Sequence, residues 1–335
     1  MRALDSLDRP MKALRISVTD RCNFRCPYCM PRDKFGSDFQ FLDRKEILTF
    51  EEMIRLVRLF VSAGVEKVRL TGGEPLLRHD LAVLVAGLRQ VPGLREITLT
   101  TNGSLLSAQA ASLRKAGLDR LTMSLDTLDP ERFRSMSDAS VPLEQVLEGL
   151  RAAGEAGFRD IKLNCVLKRG VNEDDILPLA AFAREHGHHL RFIEFMDVGT
   201  GNGWCMDSVV PSTEVAERIG ANWPLERVQA LDAGCVARHY RYQDGGGWLG
   251  LISSVTEPFC AGCDRARLSA EGSLYTCLFA SRGLDLKTAL RAGADDTQLL
   301  GLILERWRVR DDRYSELRTL GTSPRTRVEM FHIGG

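Results

Sequence analysis

Nine cysteines stand in this chain of 335 residues, and their spacing separates them into groups. Cys22, Cys26 and Cys29 form a C-x3-C-x2-C triplet, and Cys260, Cys263 and Cys277 form a C-x2-C-x13-C triplet. Thiolates are soft ligands suited to zinc or to iron–sulfur clusters. A structural zinc site normally takes four N or S ligands, and neither triplet has a fourth His or Cys beside it. A cubane 4Fe-4S cluster is held by cysteine thiolates, and three of them can carry it with one iron left open to a small molecule. Zinc knuckles completed by distant residues remain the competing reading. Cys165, Cys205 and Cys235 have no cluster spacing. Cys165 lies in a strand-like run, where a thiol serves as a small core residue.

Two further runs could do chemistry beside the thiols. In Thr71-Gly72-Gly73-Glu74-Pro75 the glycines allow a close backbone approach to a ligand, and Glu74 can accept from an ammonium group. A tight turn explains the same residues taken alone. Arg265 and Arg267 are two apart, so an extended segment directs both side chains to one face beside the second triplet. His186, His188 and His189 could ligate a metal but read as a loop between a helix and a strand. The chain has no G-x-x-x-x-G-K-S/T and no G-x-G-x-x-G leading from a strand into a helix, which argues against a P-loop or dinucleotide cradle and against a GTPase switch.

The elements that must position these groups alternate. Strand-like runs at 14–18, 67–70, 96–100, 121–125, 161–167 and 190–196 are separated by amphipathic runs near 51–63, 80–90, 107–116, 143–156 and 174–186. The first helix is the clearest, with one apolar stripe, Thr49 and Glu52 at capping-box spacing, and Gly64 as its stop. Six βα units predict a parallel sheet with functional groups at the carboxyl ends of its strands. Beyond a Gly-rich loop the rhythm changes. The expected division is a flexible segment over 1–12, a first region over 13–200 and a C-terminal region over 201–335. The latter carries a β-ribbon near 236–255, turning at Gly245 to Gly247, and helices near 285–292 and 296–309.

Lys plus Arg equals Asp plus Glu at 45 each, a balance unlike that of a general nucleic-acid binder, whose affinity depends on excess positive charge. An odd cysteine count in a chain of this length does not suit a disulfide scaffold. With no secretory h-region and no apolar run of membrane-spanning length, the expected location is the cytoplasm, with no membrane partner.

The C-x3-C-x2-C loop after the first strand, followed by the Gly-Gly-Glu-Pro run, resembles the radical S-adenosylmethionine (SAM) enzymes. Within that family the runs Leu14-Arg-Ile-Ser-Val-Thr-Asp-Arg-Cys22, Thr100-Thr-Asn-Gly103, Ser124-Leu-Asp126 and Arg191-Phe-Ile-Glu-Phe-Met196, the Arg265-Ala-Arg267 pair and the terminal Ile333-Gly-Gly335 are similar to the branch that cyclises GTP for molybdenum cofactor biosynthesis. The resemblance runs from about residue 12 to the last residue.

It implies an α/β fold, a partial (β/α)6 barrel with a smaller C-terminal α+β region. It also implies two 4Fe-4S clusters, one on Cys22, Cys26 and Cys29 and one on Cys260, Cys263 and Cys277. Tyr28, Gly73, Ser124 and Met196 would shape the SAM pocket. Arg15, Arg69, Thr100, Lys162, Arg265 and Arg267 would bind GTP, five of the six being cationic, as a triphosphate requires. Arg15 and the Gly334-Gly335 tail would act at the reacting centre. The implied reaction begins when reductive cleavage of SAM yields a 5′-deoxyadenosyl radical. That radical takes the ribose C3′ hydrogen of GTP, and C3′ then bonds to guanine C8. An electron-donor protein, the next enzyme of the route and a homodimer are the implied partners. The alternatives are a radical SAM enzyme with an auxiliary cluster acting on a peptide or other small molecule, and a non-catalytic zinc-binding module.

Overall fold

The computed structural model describes residues 3–229, 234–318 and 327–334. Its first half alternates β1 (Ala13–Ser17), α1 (Phe50–Ser62), β2 (Lys67–Thr71), α2 (Leu81–Arg89), β3 (Glu96–Thr101), α3 (Leu106–Ala116), β4 (Arg120–Ser124), α4 (Pro130–Ser137), α5 (Leu143–Glu155), β5 (Lys162–Leu167), α6 (Ile176–Glu185) and β6 (His189–Glu194). Helix α1 shows how the sequence builds such a unit. Thr49 and Glu52 close a capping box on its first turn, and Met53, Leu56, Val57 and Phe60 are buried on one face. Each such side chain contributes about 1.5–3 kcal/mol on burial.

Strands β1 to β6 pair in parallel and in sequence order. The rest of the chain supplies α7 (Ser212–Gly220), β7 (Leu225–Val228), β8 (Arg238–Tyr242), β9 (Trp248–Ile252), β10 (Arg265–Leu268), β11 (Ser273–Tyr275), β12 (Leu284–Asp285), α8 (Lys287–Arg291), α9 (Asp296–Arg308) and α10 (Tyr314–Leu317). These strands do not form a separate sheet. β10 joins β1 in parallel and carries β11 and β12 antiparallel, while β9 joins β6 in parallel and carries β8 and β7 antiparallel. Both ends of a single twelve-stranded sheet therefore come from the C-terminal region. Residues of the eight strands from β10 through β1 to β9 line one cavity, so the sheet curls into an open barrel around it.

Alternation along each strand sorts the side chains. Leu14, Ile16, Val68, Leu70, Ile97, Leu99, Leu163, Cys165, Leu190 and Phe192 are buried in the main apolar core. Their neighbours on the other face are largely Arg, Thr, Ser, Asn and Lys. That inner polar face is the wall of the cavity.

The segment before β1 departs from the flexible lead-in expected over residues 1–12. Ala3 and Met11 are buried, and the amide of Ala3 donates to the Ala63 carbonyl at 3.1 Å. Asp5 and Arg9, charges that suggest solvent, form a buried pair at 2.7 Å that Arg310 joins at 3.1 Å. Paired charges can be buried where lone ones cannot. Helices α4 and α7 and strands β7, β10, β11 and β12 are also absent from the sequence reading. For α4 a local signal exists: Asp129 caps it by accepting from the Arg132 amide, and Pro130 opens the first turn.

Candidate functional site

Register places the cations. Across the inner face Arg267, Arg15 and Arg69 lie on one rung, Thr100, Thr122 and Lys162 on another, and Ser124, Asn164 and Arg191 on a third. Like charges on adjacent strands destabilise a sheet, so the Arg267–Arg15–Arg69 rung is not there to hold the fold. Arg69 donates to the hydroxyls of Thr100 and Thr122 at 3.0 and 3.1 Å. Arg191 donates to Asn164 Oδ1 at 2.9 Å. Burial, and then the neighbouring guanidiniums, push Arg15 well below its ordinary range, Arg267 down to about 10 and Arg191 down to about 9. Burial and then Arg120 take Arg69 to about 10. A polyanion would relieve this repulsion.

The first triplet lies on the loop after β1. The amides of Cys29 and Met30 both donate to the Cys26 carbonyl, at 2.9 and 2.8 Å, a turn that brings Cys26 and Cys29 together. Arg25 pins the loop through the carbonyls of Cys22 and Phe35 at 2.6 and 2.7 Å, and Phe24 packs edge-on against Phe133 of α4. The Gly-Gly-Glu-Pro run abuts this loop, since a Cβ on Gly72 or Gly73 would strike the Thr19 or Arg21 carbonyl. Glu74, which lines the cavity, accepts from Leu76 N, the Thr101 hydroxyl and Asn102 N at 3.0, 2.7 and 2.7 Å. Its carboxylate is thus a brace between loops, and burial raises it to about 7. Tyr28 donates to Asp126 at 2.7 Å, and burial lifts Asp126 to about 6.

The second triplet spans a 3-10 turn at Cys260–Gly262, the residue before Asp264 and β10, and the end of β11. Arg265 donates to the Cys263 thiol at 3.2 Å and lies over the Phe259 ring. Burial opposes ionisation of Cys263, but Arg265 and Arg310 outweigh it and bring the thiol down to about 6. Arg265 Nε is buried without a hydrogen-bond partner among the described residues. An orphaned donor beside thiols suits a ligand that brings acceptors.

The C-terminal tail closes one side. Phe331 packs with Met30 and Phe35 beside Cys22 and Cys29. Gly334 has a left-handed φ of 73°, and a Cβ there would lie 3.2 Å from the Thr71 side chain. Arg267 donates to the Gly334 carbonyl. Gly335 lies outside the described residues.

One cavity of about 520 Å³ is lined by Cys22, Cys26, Cys29, Tyr28, Gly73, Ser124, Met196, Arg15, Arg69, Thr100, Arg265, Arg267, Cys260, Cys263 and Cys277. The sequence reading names all of these. Lys162 shares the inner face, but it does not line the cavity and stands on the rung that pairs with His189 at the start of β6. Burial, and then Arg191, lower it to about 8. Arg191 does line the cavity and was given no role from sequence, although its place on β6 two residues before Ile193 marks the inward parity. Asp126 and Asn164 line it too. His186 and His188 sit at the end of α6, before β6, remote from the strands' carboxyl ends.

The thiols suit clusters better than single ions. All six are free, and each set brings three thiols to the same cavity. Zinc draws its thiolates to about 2.3 Å from one point, whereas a cluster offers each thiolate its own iron.

Comparison with known proteins agrees with this geometry. The Radical SAM superfamily model matches residues 16–183, and the Molybdenum Cofactor Synthesis C model matches residues 188–316. A GTP 3′,8-cyclase of Acidothermus cellulolyticus is 54% identical, covering 99% of this chain and 98% of the relative. GTP 3′,8-cyclases of Xanthomonas axonopodis pv. citri and Staphylococcus carnosus are 53% and 44% identical, over 99% of this chain and 98% of each relative. Among solved structures, Streptococcus suis SuiB bound to S-adenosylmethionine has a similar fold, with a TM-score of 0.64 at 15% identity over 94% of this chain and 76% of that one. With two thiol triplets facing one arginine-lined cavity and relatives matched end to end, the chain belongs to the radical SAM superfamily and, within it, to the GTP 3′,8-cyclase family.

Proposed function

We propose that this protein converts GTP to 3′,8-cyclo-7,8-dihydro-GTP, the first step towards the molybdenum cofactor, in the cavity between its two cysteine triplets. The observation that carries the reading is the inner-face arginine ladder running from β10 to β6 between those triplets. Cys22, Cys26 and Cys29 would hold the cluster that binds SAM, with Tyr28, Gly73, Ser124 and Met196 around the nucleoside and methionine parts. Cys260, Cys263 and Cys277 would hold the second cluster, facing the guanine. When bound and reduced, the first cluster and SAM supply hydrogen-atom abstraction from carbon.

The chain's own residues position and enclose. Arg15, Arg69, Arg191, Arg265 and Arg267 would neutralise the triphosphate, with Thr100 oriented by Arg69 and Lys162 as a more distant cation. Each charged hydrogen bond contributes roughly 1.5–3 kcal/mol. Orientation of C3′ towards both the SAM end of the cavity and guanine C8 is the main catalytic gain open to such a site. Gly334, held by Arg267 against Thr71 and Arg15, is placed to exclude water from that centre, and Gly335 would extend it. Among the described residues no helix is long and apolar enough to cross a membrane. We place the protein in the cytoplasm, supplied by an electron donor and followed by the enzyme that consumes its product; a homodimer fits the same reading.

The test is anaerobic reconstitution with iron and sulfide, then dithionite, SAM and GTP, with mass spectrometry of the products. A GTP-derived cyclised nucleotide formed together with 5′-deoxyadenosine is expected. 5′-Deoxyadenosine without any such product would withdraw the substrate and leave only the superfamily chemistry.

A further inference from the structure

The N-terminal segment and the residue just beyond α9 meet at the back of the second triplet. Arg9 Nη1 donates to the Cys260 carbonyl at 2.9 Å and to the Asp312 carbonyl at 2.8 Å. Arg310 Nη1 donates to the Cys263 carbonyl at 2.7 Å, and its Nε donates to the Thr276 carbonyl, next to Cys277, at 3.1 Å. Each cysteine of the triplet is therefore gripped at its own carbonyl or at the one before it. The two guanidiniums share one carboxylate, with Asp5 Oδ2 at 2.7 Å from Arg9 Nε and 3.1 Å from Arg310 Nη1.

Asp5 is itself fixed by accepting the amides of Leu7 and Arg9 at 2.9 Å each. Trp307 completes the unit. Its indole donates to the Arg9 carbonyl at 3.1 Å, and its ring lies under the Arg310 guanidinium at 4.5 Å. All three charged side chains are almost fully buried, at 3% exposure or less. A second carboxylate, Asp312, stands 3.6 Å from Arg310 Nε and is 28% exposed, so the two buried guanidiniums share one buried and one partly solvated anion. Apolar residues would build a cheaper core there, so the charge calls for a partner beyond stability. The thiolates of the second triplet are the neighbouring anions.

We propose that Asp5, Arg9 and Arg310 are positioning residues for the second cluster. They set the spacing of its three ligand loops, and the two guanidiniums placed behind those loops make the cluster easier to reduce than it would be without them. The proposal rests on the reading that Cys260, Cys263 and Cys277 hold a cluster. Reduction adds an electron to an anionic centre, and nearby cations and cluster charge tune the potential at which it does so. Arg310 is the pivot, since it alone touches the carboxylate, two of the three ligand loops and the cavity wall.

The test uses the full chain with Cys22, Cys26 and Cys29 replaced by Ala, so that only the second site can load. Iron and sulfide are counted after reconstitution, and the midpoint potential and EPR spectrum of the reduced cluster are recorded. The parent is expected to hold about four irons per chain, the content of one cubane cluster. In Arg310→Met the loaded fraction should fall, and the cluster that does form should show a more negative midpoint and altered g-values. Arg310→Lys, which keeps the charge, should restore the midpoint but not the full iron content. Asp5→Asn gives the opposite sign, because removing the anion should move the midpoint positive. It also serves as the measurement that stands if Arg310→Met does not fold. An unchanged midpoint and spectrum in the loaded Arg310→Met and Asp5→Asn proteins would overturn the proposal and make the triad a scaffold only. A parent without iron would instead overturn the cluster reading beneath it.

Discussion

The two cysteine triplets use the same ligand count in different electrostatic settings. Around the first triplet the neighbours are carboxylates and other thiols. Burial, and then Glu74, raise Cys22 to about 12, and burial also pushes Cys26 and Cys29 up. Around the second, Arg265 and Arg310 bring Cys263 down to about 6 even though it is buried, whereas burial and then Asp312 raise Cys277 to about 11. The scaffolds differ as well. The first triplet is eight residues of one loop, braced by short-range contacts from Arg25 and by the Gly-Gly-Glu-Pro turn. The second is assembled from two separate stretches and clamped by residues from both ends of the chain. On the proposed reading the first site takes a cationic sulfonium and the second meets an anionic nucleotide, and the guanidinium beside Cys263 suits the second.

The largest expected effect divides the triplets by function. Cys26→Ala should abolish 5′-deoxyadenosine formation while leaving about half of the iron, the share of one of two equal clusters. Cys277→Ala should keep SAM cleavage and lose the GTP-derived product. If both variants lose SAM cleavage equally, the division is wrong. Next come the cations between them. Arg267→Ala or Arg265→Ala should weaken GTP binding roughly 10- to 100-fold, the loss of one charged contact, in anaerobic equilibrium titrations. Uncoupled SAM cleavage should persist. Unchanged GTP affinity in both would place the triphosphate elsewhere.

A smaller effect tests the loop contact on the first side. Gly73→Ala should cost about 1–3 kcal/mol, typical of overpacking, because its Cβ meets the Arg21 carbonyl. The readouts are a lower melting temperature and reduced loading of the first cluster only. The smallest concerns the tail. Burial opposes protonation of His332, but its 2.8 Å bond to Glu271 outweighs this and raises it; burial likewise opposes ionisation of Glu271, and His332 lowers it. The histidine's contribution is therefore full below its ordinary value of 6.5 and lost as pH rises through the higher folded value. The carboxylate's contribution is present above its ordinary 4.5 and lost as pH falls through the lower folded value. Proteolytic protection of the tail should thus be greatest between about pH 4.5 and 6.5, by about 1 kcal/mol or less, and Glu271→Gln should flatten that profile.

How far the sequence carries varies from residue to residue. The βα rhythm of β1 to β6 was legible because each strand has a buried face with period two and each helix an apolar stripe. Helix α4 had its cap and proline but only eight mostly polar residues, too short for a periodic signal. Strands β10 to β12 have two to four residues each and exist through pairing with one another and with β1. Among site residues, Arg15, Arg265 and Arg267 stand in motifs beside cysteines or strands. Arg191 could be judged only by knowing which face of β6 turns inward, and Lys162 only by knowing which rung lies within the cavity.

The sequence by itself determined the thiol chemistry, the six-unit core and the family, because local spacing and strand period are written in consecutive residues. Tertiary structure alone decided that the C-terminal region closes both ends of the same sheet, and that Asp5 and Arg9 are buried. It also decided that five arginines from four strands face one another across one cavity. The physical reason is that burial and mutual charge depend on distances between segments as much as 305 residues apart, such as Asp5 and Arg310. No local propensity encodes those distances.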